Sequence, residues 1–256
     1  MRRARILQVM AAAGMLGMVG VESAAAQVVQ PWTERAFVNV NGGAQSTARR
    51  YDVTGSFPLY QETATYETSL TTGDGPLFDI AGGYRVFGNL AVGLGVTRYA
   101  DSHDATVTGL VPDPLFFDTP HSSSLPLGGL KHSETAVHLS AAFMVPLRLP
   151  VLERLDVVVF GGPSFISLDK DVLDAVSVAP GTTNLTTATT SSVSGRGTGG
   201  HIGLDVSYIA FRTAGVGLGI GVFVRQSGAT VDVPEVSGGA VKVGGLNYGA
   251  GARIRF

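Results

Sequence analysis

The sequence predicts an all-β protein, specifically an eight-stranded antiparallel transmembrane β-barrel, with ten strands as the alternative. Three observations support this prediction. Several segments alternate large apolar residues with small or polar ones, no apolar run after residue 26 is long enough for a membrane-spanning helix, and short connections alternate with long ones. Period-two alternation gives a strand two different faces, and alternating connection lengths are typical of barrels that cross a membrane.

The first 26 residues have the pattern of a cleaved export signal. Three arginines precede a mostly apolar stretch at 6–21, and small residues with Ala-x-Ala spacing follow it. The sequence therefore predicts a signal peptide at 1–26, a short periplasmic N-terminal segment at 27–35 and an outer-membrane barrel domain at 36–256.

The composition of the exported part excludes some classes of protein. After residue 26 the chain has 15 basic and 19 acidic residues, because the signal segment holds three of the 18 basic and one of the 20 acidic residues. No basic stripe is left to neutralise phosphates, so nucleic acid is not an expected partner. The chain has no cysteine, so no disulfide framework stabilises it.

Eight strands are predicted from the alternation and from the turns. Their expected positions are 36–55, 63–86, 89–108, 132–147, 155–170, 198–210, 215–232 and 243–256. In the last strand an apolar file from Leu246 to Phe256 alternates with a file that ends in Arg253 and Arg255. We expect the apolar file to face lipid and the arginines to face the inside of the barrel.

Two long connections, 109–131 and 171–197, are rich in Pro, Ser, Thr and Gly. They are predicted to be extracellular loops, which leaves the short connections and both chain termini on the periplasmic side.

Charged residues on the inward-facing files are the main candidate site. The interior of an eight-stranded barrel is filled by side chains, and a buried charge must be paired. We therefore predict a lumen network of Arg–carboxylate pairs that closes the barrel. Its predicted members are Asp79, Arg85, Glu134, Asp156, Asp205, Arg225, Arg253 and Arg255.

Four segments carry a resemblance to a known family: "FVNVNGGAQ" at 37–45, "PLFDIAGGYRVFGNLAVGLGVTRY" at 76–99, "VVVFGGPSF" at 157–165 and "NYGAGARIRF" at 247–256. They resemble bacterial outer-membrane β-barrel domains of the OmpA/OmpW-like kind. No peptidoglycan-binding domain follows the barrel, so a tether to the cell wall is not implied. The resemblance implies a monomer in the outer membrane of a Gram-negative cell, in contact with outer-membrane lipid and lipopolysaccharide.

The end of the chain resembles the signal that barrel-assembly machinery reads. Phe256, Ile254 and Gly251 stand at matching places. The resemblance implies that this machinery is a partner and recognises the C-terminal strand.

No residue pattern predicts an enzyme, a cofactor or a metal site. The five histidines lack metal-ligand spacing near a carboxylate cluster. Ser140, His138 and Glu134 have residue types suited to nucleophilic catalysis, but they share one strand phase and are expected to pack along the inner wall.

Three functions follow from these predictions. The first is a structural protein or narrow passive pore whose lumen is filled by charge pairs. The second is a surface binding module, for which Leu115, Phe116 and Phe117 form a candidate contact cluster. The third is an OmpW-like channel for small apolar molecules, with Tyr99, Phe160 and Phe223 as its possible lining.

Overall fold

Strands make up most of the described part of this computed structural model, which comprises residues 34–47, 49–146, 154–213, 215–233 and 239–256. The predicted signal peptide and residues 27–33 lie outside the described residues. Within the described ranges, no helix has the length and apolarity needed to cross a membrane. The strands are β1 (Ala36–Ser46), β2 (Arg49–Leu59), β3 (Glu62–Thr72), β4 (Gly75–Phe87), β5 (Leu90–Val111), β6 (His121–Val145), β7 (Leu155–Val178), β8 (Leu185–Thr213), β9 (Val216–Asp232), β10 (Ala240–Val243) and β11 (Leu246–Arg255).

Eight of these strands form a closed antiparallel ring in the order β1, β4, β5, β6, β7, β8, β9 and β11. The ring closes where β1 pairs with β11, from Phe37 opposite Arg255 to Ser46 opposite Leu246. The predicted eight-stranded antiparallel barrel is therefore confirmed, and the alternative of ten strands is wrong.

The two ends of the ring differ. The lower end holds the short turn at 88–89, and there Phe256 and Ala36 exchange backbone hydrogen bonds. The upper end carries hairpins that extend beyond the ring. One of them is the β2–β3 hairpin, which is inserted between β1 and β4 and joins the sheet where Thr65–Thr68 of β3 pairs with β5. The predicted strands 36–55 and 63–86 are therefore each divided in two.

The two connections predicted as long loops are mostly strand, which corrects that prediction. β5 continues to Val111 and β6 begins at His121, so only 112–120 connects them. Likewise β7 runs to Val178 and β8 begins at Leu185. In both hairpins the added residues pair with the neighbouring strand, and at 171–197 the many Thr and Val residues have high β propensity.

The apolar face of the sheet is on the outside in the lower part of the strands and on the inside in their upper part, as β7 illustrates. In its lower part Phe165 is exposed on the outside while Ser164 is buried inside. In its upper part Asp169 faces outward, whereas Leu168 and Val172 are buried. The lower barrel thus has an apolar exterior and a polar interior, and the upper extension has the opposite arrangement.

Three apolar clusters fill the inside at successive heights. A lower cluster consists of Ala91, Ala142 and Val158. A mouth cluster, above the polar part of the lumen, consists of Ala136, Ile166, Leu168, Val172, Val231, Val233, Val241 and Val243. An upper core holds the extended hairpins together and consists of Val53, Leu70, Val107, Val111, Leu130, Leu173, Val176 and Leu185.

Candidate functional site

Asp79 is the centre of one buried charged group in the lumen. Its Oδ1 accepts hydrogen bonds from Arg225 Nη1 at 2.9 Å and from Thr97 Oγ1 at 2.8 Å, and its Oδ2 accepts one from Asn41 Nδ2 at 2.8 Å. Arg225 Nη2 also donates to Thr97 Oγ1 at 2.6 Å. Because β4, β5, β9 and β1 each contribute one side chain, this group links four strands across the lumen.

Arg253 forms a second ion pair with Asp205. Arg253 Nη2 donates to Asp205 Oδ2 at 2.6 Å, and Nε donates to Oδ1 at 3.2 Å, so the contact is bidentate. Nη1 donates to Asn41 Oδ1 at 2.6 Å, which joins this pair to the Asp79 group through one amide. The Arg253 side chain has no solvent exposure.

The remaining predicted arginines lie lower in the barrel. Arg255 Nε lies 3.8 Å from Asp156 Oδ2, and Arg255 Nη1 donates to Asn39 Oδ1 at 2.8 Å. Arg85 is half-buried near the lower end of β4 and is a member of neither of the two closely bonded ion pairs. The structure therefore arranges six members of the predicted network as two tight pairs and one looser pair.

Glu134 lies above these pairs, beneath the mouth of the barrel. It is bonded to His132 Nε2 at 3.0 Å, and it accepts hydrogen bonds from Gln45 Nε2 at 3.1 Å and from the Gly244 amide at 2.8 Å. Its partners are thus an imidazole, an amide side chain and a backbone amide, whereas an arginine was predicted.

Hydroxyl and imidazole groups form a continuous chain along one side of the lumen. His138 contacts Thr97 Oγ1 and Ser164 Oγ at 3.1 and 2.8 Å, and His201 contacts Ser164 Oγ and Ser140 Oγ, both at 2.9 Å. Ser140 is therefore bonded to His201, while Glu134 binds His132. Ser140, His138 and Glu134 do not form a Ser–His–acid arrangement.

Free space in the polar part of the lumen is small. A cavity of about 60 Å³ is bounded by polar residues such as Asp79, His138 and Arg225 together with Phe160 and Phe223. This volume accommodates a few water molecules. Tyr99 is not part of its wall, and its hydroxyl instead donates to the Gly73 carbonyl at 2.9 Å. Phe160 and Phe223 therefore line this cavity, whereas Tyr99 does not, so the three residues do not form the single apolar lining that was predicted. Across the described ranges, no cluster of His, Asp and Glu is placed to hold a metal ion.

Large apolar side chains form a belt around the outside of the lower barrel. On β9 the belt runs from Val216 to Val224, which at about 3.3 Å per residue corresponds to about 26 Å along the strand. Exposed aromatic residues lie at both edges of the belt: Tyr84, Phe87, Phe143, Tyr208, Phe211 and Phe256 at the lower edge, and Phe78, Phe165 and Tyr248 at the upper edge.

The residues of the predicted assembly signal lie on β11 and at its end. Gly251 faces inward, whereas Phe256 is exposed on the outside at the lower edge of the belt. Ile254 is partly buried in register between Val38 and Leu218. All three residues thus belong to the strand that closes the ring or directly follow it.

The predicted contact cluster lies at the tip between β5 and β6. Leu115, Phe116 and Phe117 are 81%, 66% and 67% exposed. Asp113 Oδ1 accepts hydrogen bonds from the amides of Leu115 and Phe116 at 2.8 and 3.1 Å, and these bonds lower the pKa of Asp113. The turn is therefore ordered by its own hydrogen bonds while its apolar side chains face solvent.

Sequence reasoning did not single out several of the buried polar residues. Asn41, Gln45, Thr97, Ser164 and His132 all take part in the lumen contacts described above. Each of these residues lies on the inward-facing side of its strand, so the period-two alternation of the strands is the sequence pattern that could have identified them.

No family model and no curated protein matches the chain. Among solved structures, the chain is similar to Neisserial surface protein A (15% identity, TM-score 0.38), covering 86% of this chain and 97% of that one. It is also similar to the outer membrane protein OprG from Pseudomonas aeruginosa (10% identity, TM-score 0.39; 87% and 96% covered). A further similar structure is Ail, the attachment invasion locus protein of Yersinia pestis (9% identity, TM-score 0.36; 86% and 99% covered). The assignment of this fold rests on the strand pairing of the chain itself.

Proposed function

We propose that this chain is an integral outer-membrane protein without enzymatic activity, in which a closed eight-stranded barrel anchors an extracellular β-extension. The exchange of polarity along the strands carries this proposal. Soluble proteins rarely expose continuous apolar patches larger than a few hundred Å², whereas a continuous apolar belt with aromatic residues at both edges suits a bilayer. The upper extension buries its apolar side chains, as a part of the protein in water does.

A closed lumen is the second part of the proposal. Apolar clusters lie below and above a polar layer in which Arg225 and Arg253 are bonded to buried carboxylates. The cavity of about 60 Å³ between them is too small for a continuous solute path. These features favour a structural anchor over a passive pore.

The membrane arrangement can be tested by cysteine labelling, because the chain has no native cysteine. Thr190 is exposed on the upper part of β8, Ile220 is 70% exposed in the belt, and Thr213 is exposed at the lower end. A membrane-impermeant maleimide should label Thr190→Cys on intact Gram-negative cells and Thr213→Cys only after lysis. It should leave Ile220→Cys unlabelled in both preparations.

Two results would contradict the arrangement. Labelling of Ile220→Cys in native membranes would show that the belt faces water, and the membrane-anchor proposal would fail. Labelling of Thr213→Cys, but not Thr190→Cys, on intact cells would reverse the proposed orientation.

Contact with other surfaces is the second candidate function, and the apolar tip favours it. From Glu134 to His121, β6 continues for about 44 Å along the strand beyond the belt, at about 3.4 Å per residue. We propose that Leu115, Phe116 and Phe117 form an apolar contact site at the cell surface. Expressing cells should then adhere to hexadecane droplets, and Phe116→Ser with Phe117→Ser should lower adherence. Equal adherence by the double variant and the wild type would reject the site.

A further inference from the structure

We propose that a single chloride-sized anion binds inside the upper extension, between Lys170 of β7 and His132 of β6. This inference is independent of the surface-contact proposal. The two residues are direct register partners, and both are deeply buried, at 6% and 3% exposure. A buried ammonium group such as that of Lys170 needs a charge or hydrogen-bond partner.

Two buried nitrogens of these residues have no hydrogen-bond partner. Lys170 Nζ and His132 Nδ1 are both buried and without such a bond. Both residues line one partly open space of about 20 Å³, whose wall also includes Leu70, Asp104 and Asp171. This volume accommodates one water-sized occupant, and the two atoms lie on residues from neighbouring strands.

The carboxylates around the space are already bonded elsewhere. Asp171 accepts hydrogen bonds from Ser192 Oγ and from the Lys131 amide, and Asp104 accepts one from the Gly129 amide. Glu134 is bonded to His132, Gln45 and Gly244. Among the described residues, no carboxylate lies within ion-pair distance of Lys170.

One side of the Lys170 ammonium group faces an aromatic ring. Its Nζ lies 3.6 Å from the centroid of the Tyr51 ring, a cation–π contact. Burial lowers the pKa of Lys170 to about 8, which shows that the surrounding groups do not compensate fully for lost hydration. An anion would supply the missing partner.

The charge balance favours a halide over a water molecule. The contact of His132 Nε2 with Glu134 Oε1, 3.0 Å long, leaves Nδ1 as the ring nitrogen without a hydrogen-bond partner. The Lys170 ammonium group carries one positive charge, and the carboxylates around it are bonded to other groups. One bound monovalent anion makes this buried group neutral.

The test compares urea unfolding of the refolded protein in sodium chloride and in sodium gluconate at equal ionic strength. At a chloride concentration about ten times the Kd, binding should lower the unfolding equilibrium constant about tenfold. Lys170→Met should abolish the difference between the two salts. Lys242→Met, which removes an exposed lysine on β10 that does not line the space, should retain it.

A second measurement does not depend on any variant folding. Crystals of the wild-type protein grown in sodium bromide should show an anomalous peak between Lys170 Nζ and His132 Nδ1. Equal stability in both salts together with no anomalous peak would overturn the proposal and leave water as the occupant. Retention of the full chloride effect in Lys170→Met would also overturn it, because the anion would then bind elsewhere.

Discussion

Arg253 on β11 and Asp205 on β8 form a bidentate ion pair across β9 inside the barrel, with nitrogen–oxygen distances of 2.6 and 3.2 Å. The arginine crosses β9 at Gly221, where a Cβ atom would lie 2.7 Å from Arg253 Nε. An inward glycine and a long charged side chain are therefore complementary parts of the packing. The same relationship explains why the inward files combine glycines with isolated charges.

Arg253→Ala should lower the free energy of unfolding by about 3–5 kcal/mol, because it leaves Asp205 buried without its partner. Urea unfolding in lipid vesicles measures the change. Arg50→Ala is the control, since Arg50 pairs with Asp52 at the exposed surface, and it should leave the midpoint unchanged. The double variant Arg253→Met with Asp205→Leu should recover most of the loss. Equal midpoints for Arg253→Ala and the wild type would count against the packed charge network.

Gly251→Ala should destabilise the refolded barrel by about 1–3 kcal/mol, because the added methyl group would overlap the backbone of Val40 and Asn41. Gly42→Ala is the matched control on the adjacent strand, since a Cβ atom there has no neighbour within 4 Å. Thermal unfolding in detergent compares the two variants. A Gly42→Ala variant less stable than Gly251→Ala would contradict the inward packing of β11 against β1.

Stability in halide-free buffer should rise as pH increases from about 8 toward 10.5. Burial holds the pKa of Lys170 at about 8, so in this interval the unfolded state binds more protons than the folded state. The expected gain is about 1–3 kcal/mol. Lys170→Met should lose this rise, while Lys242→Met, at an exposed lysine outside this space, should keep it. The ionisable groups around Lys170 are Tyr51, His103, Asp104, Lys131, His132, Glu134 and Asp171.

Saturating chloride should remove most of the same rise. An anion that neutralises the Lys170 ammonium group raises its pKa back toward 10.5, so folding no longer releases a proton in this interval. Urea midpoints at several pH values, measured with and without chloride, compare the two conditions. An identical pH dependence with and without chloride would show that the Lys170 ammonium group binds no anion.

Much of the barrel follows from its alternation pattern. The inward and outward files of β5, β8, β9 and β11 agree with the burial of their residues, and the turn at 88–89 lies at the end where Ala36 and Phe256 meet. Period-two patterning reports which residues share a face, so it also placed the charged residues inside.

The sequence predicted the upper extension less well. The composition of segments rich in Ser, Thr and Gly indicates loops, but the residues from Leu185 to Gly200 form one side of a long paired ladder. Composition does not separate the two outcomes, because threonine is common both in turns and in strands. Likewise, neutral residues such as Asn41 and Ser164 were missed because only charges were used to define the lumen network.

Single-channel conductance of the refolded protein in planar bilayers tests the closed-barrel account most directly. We expect no steady current from the wild type, because paired arginines and the apolar clusters fill the lumen. We expect intermittent current from Arg225→Ala and Arg253→Ala. A steady ohmic conductance of the wild-type protein, unchanged by these variants, would contradict the closed lumen and make a passive pore the better description.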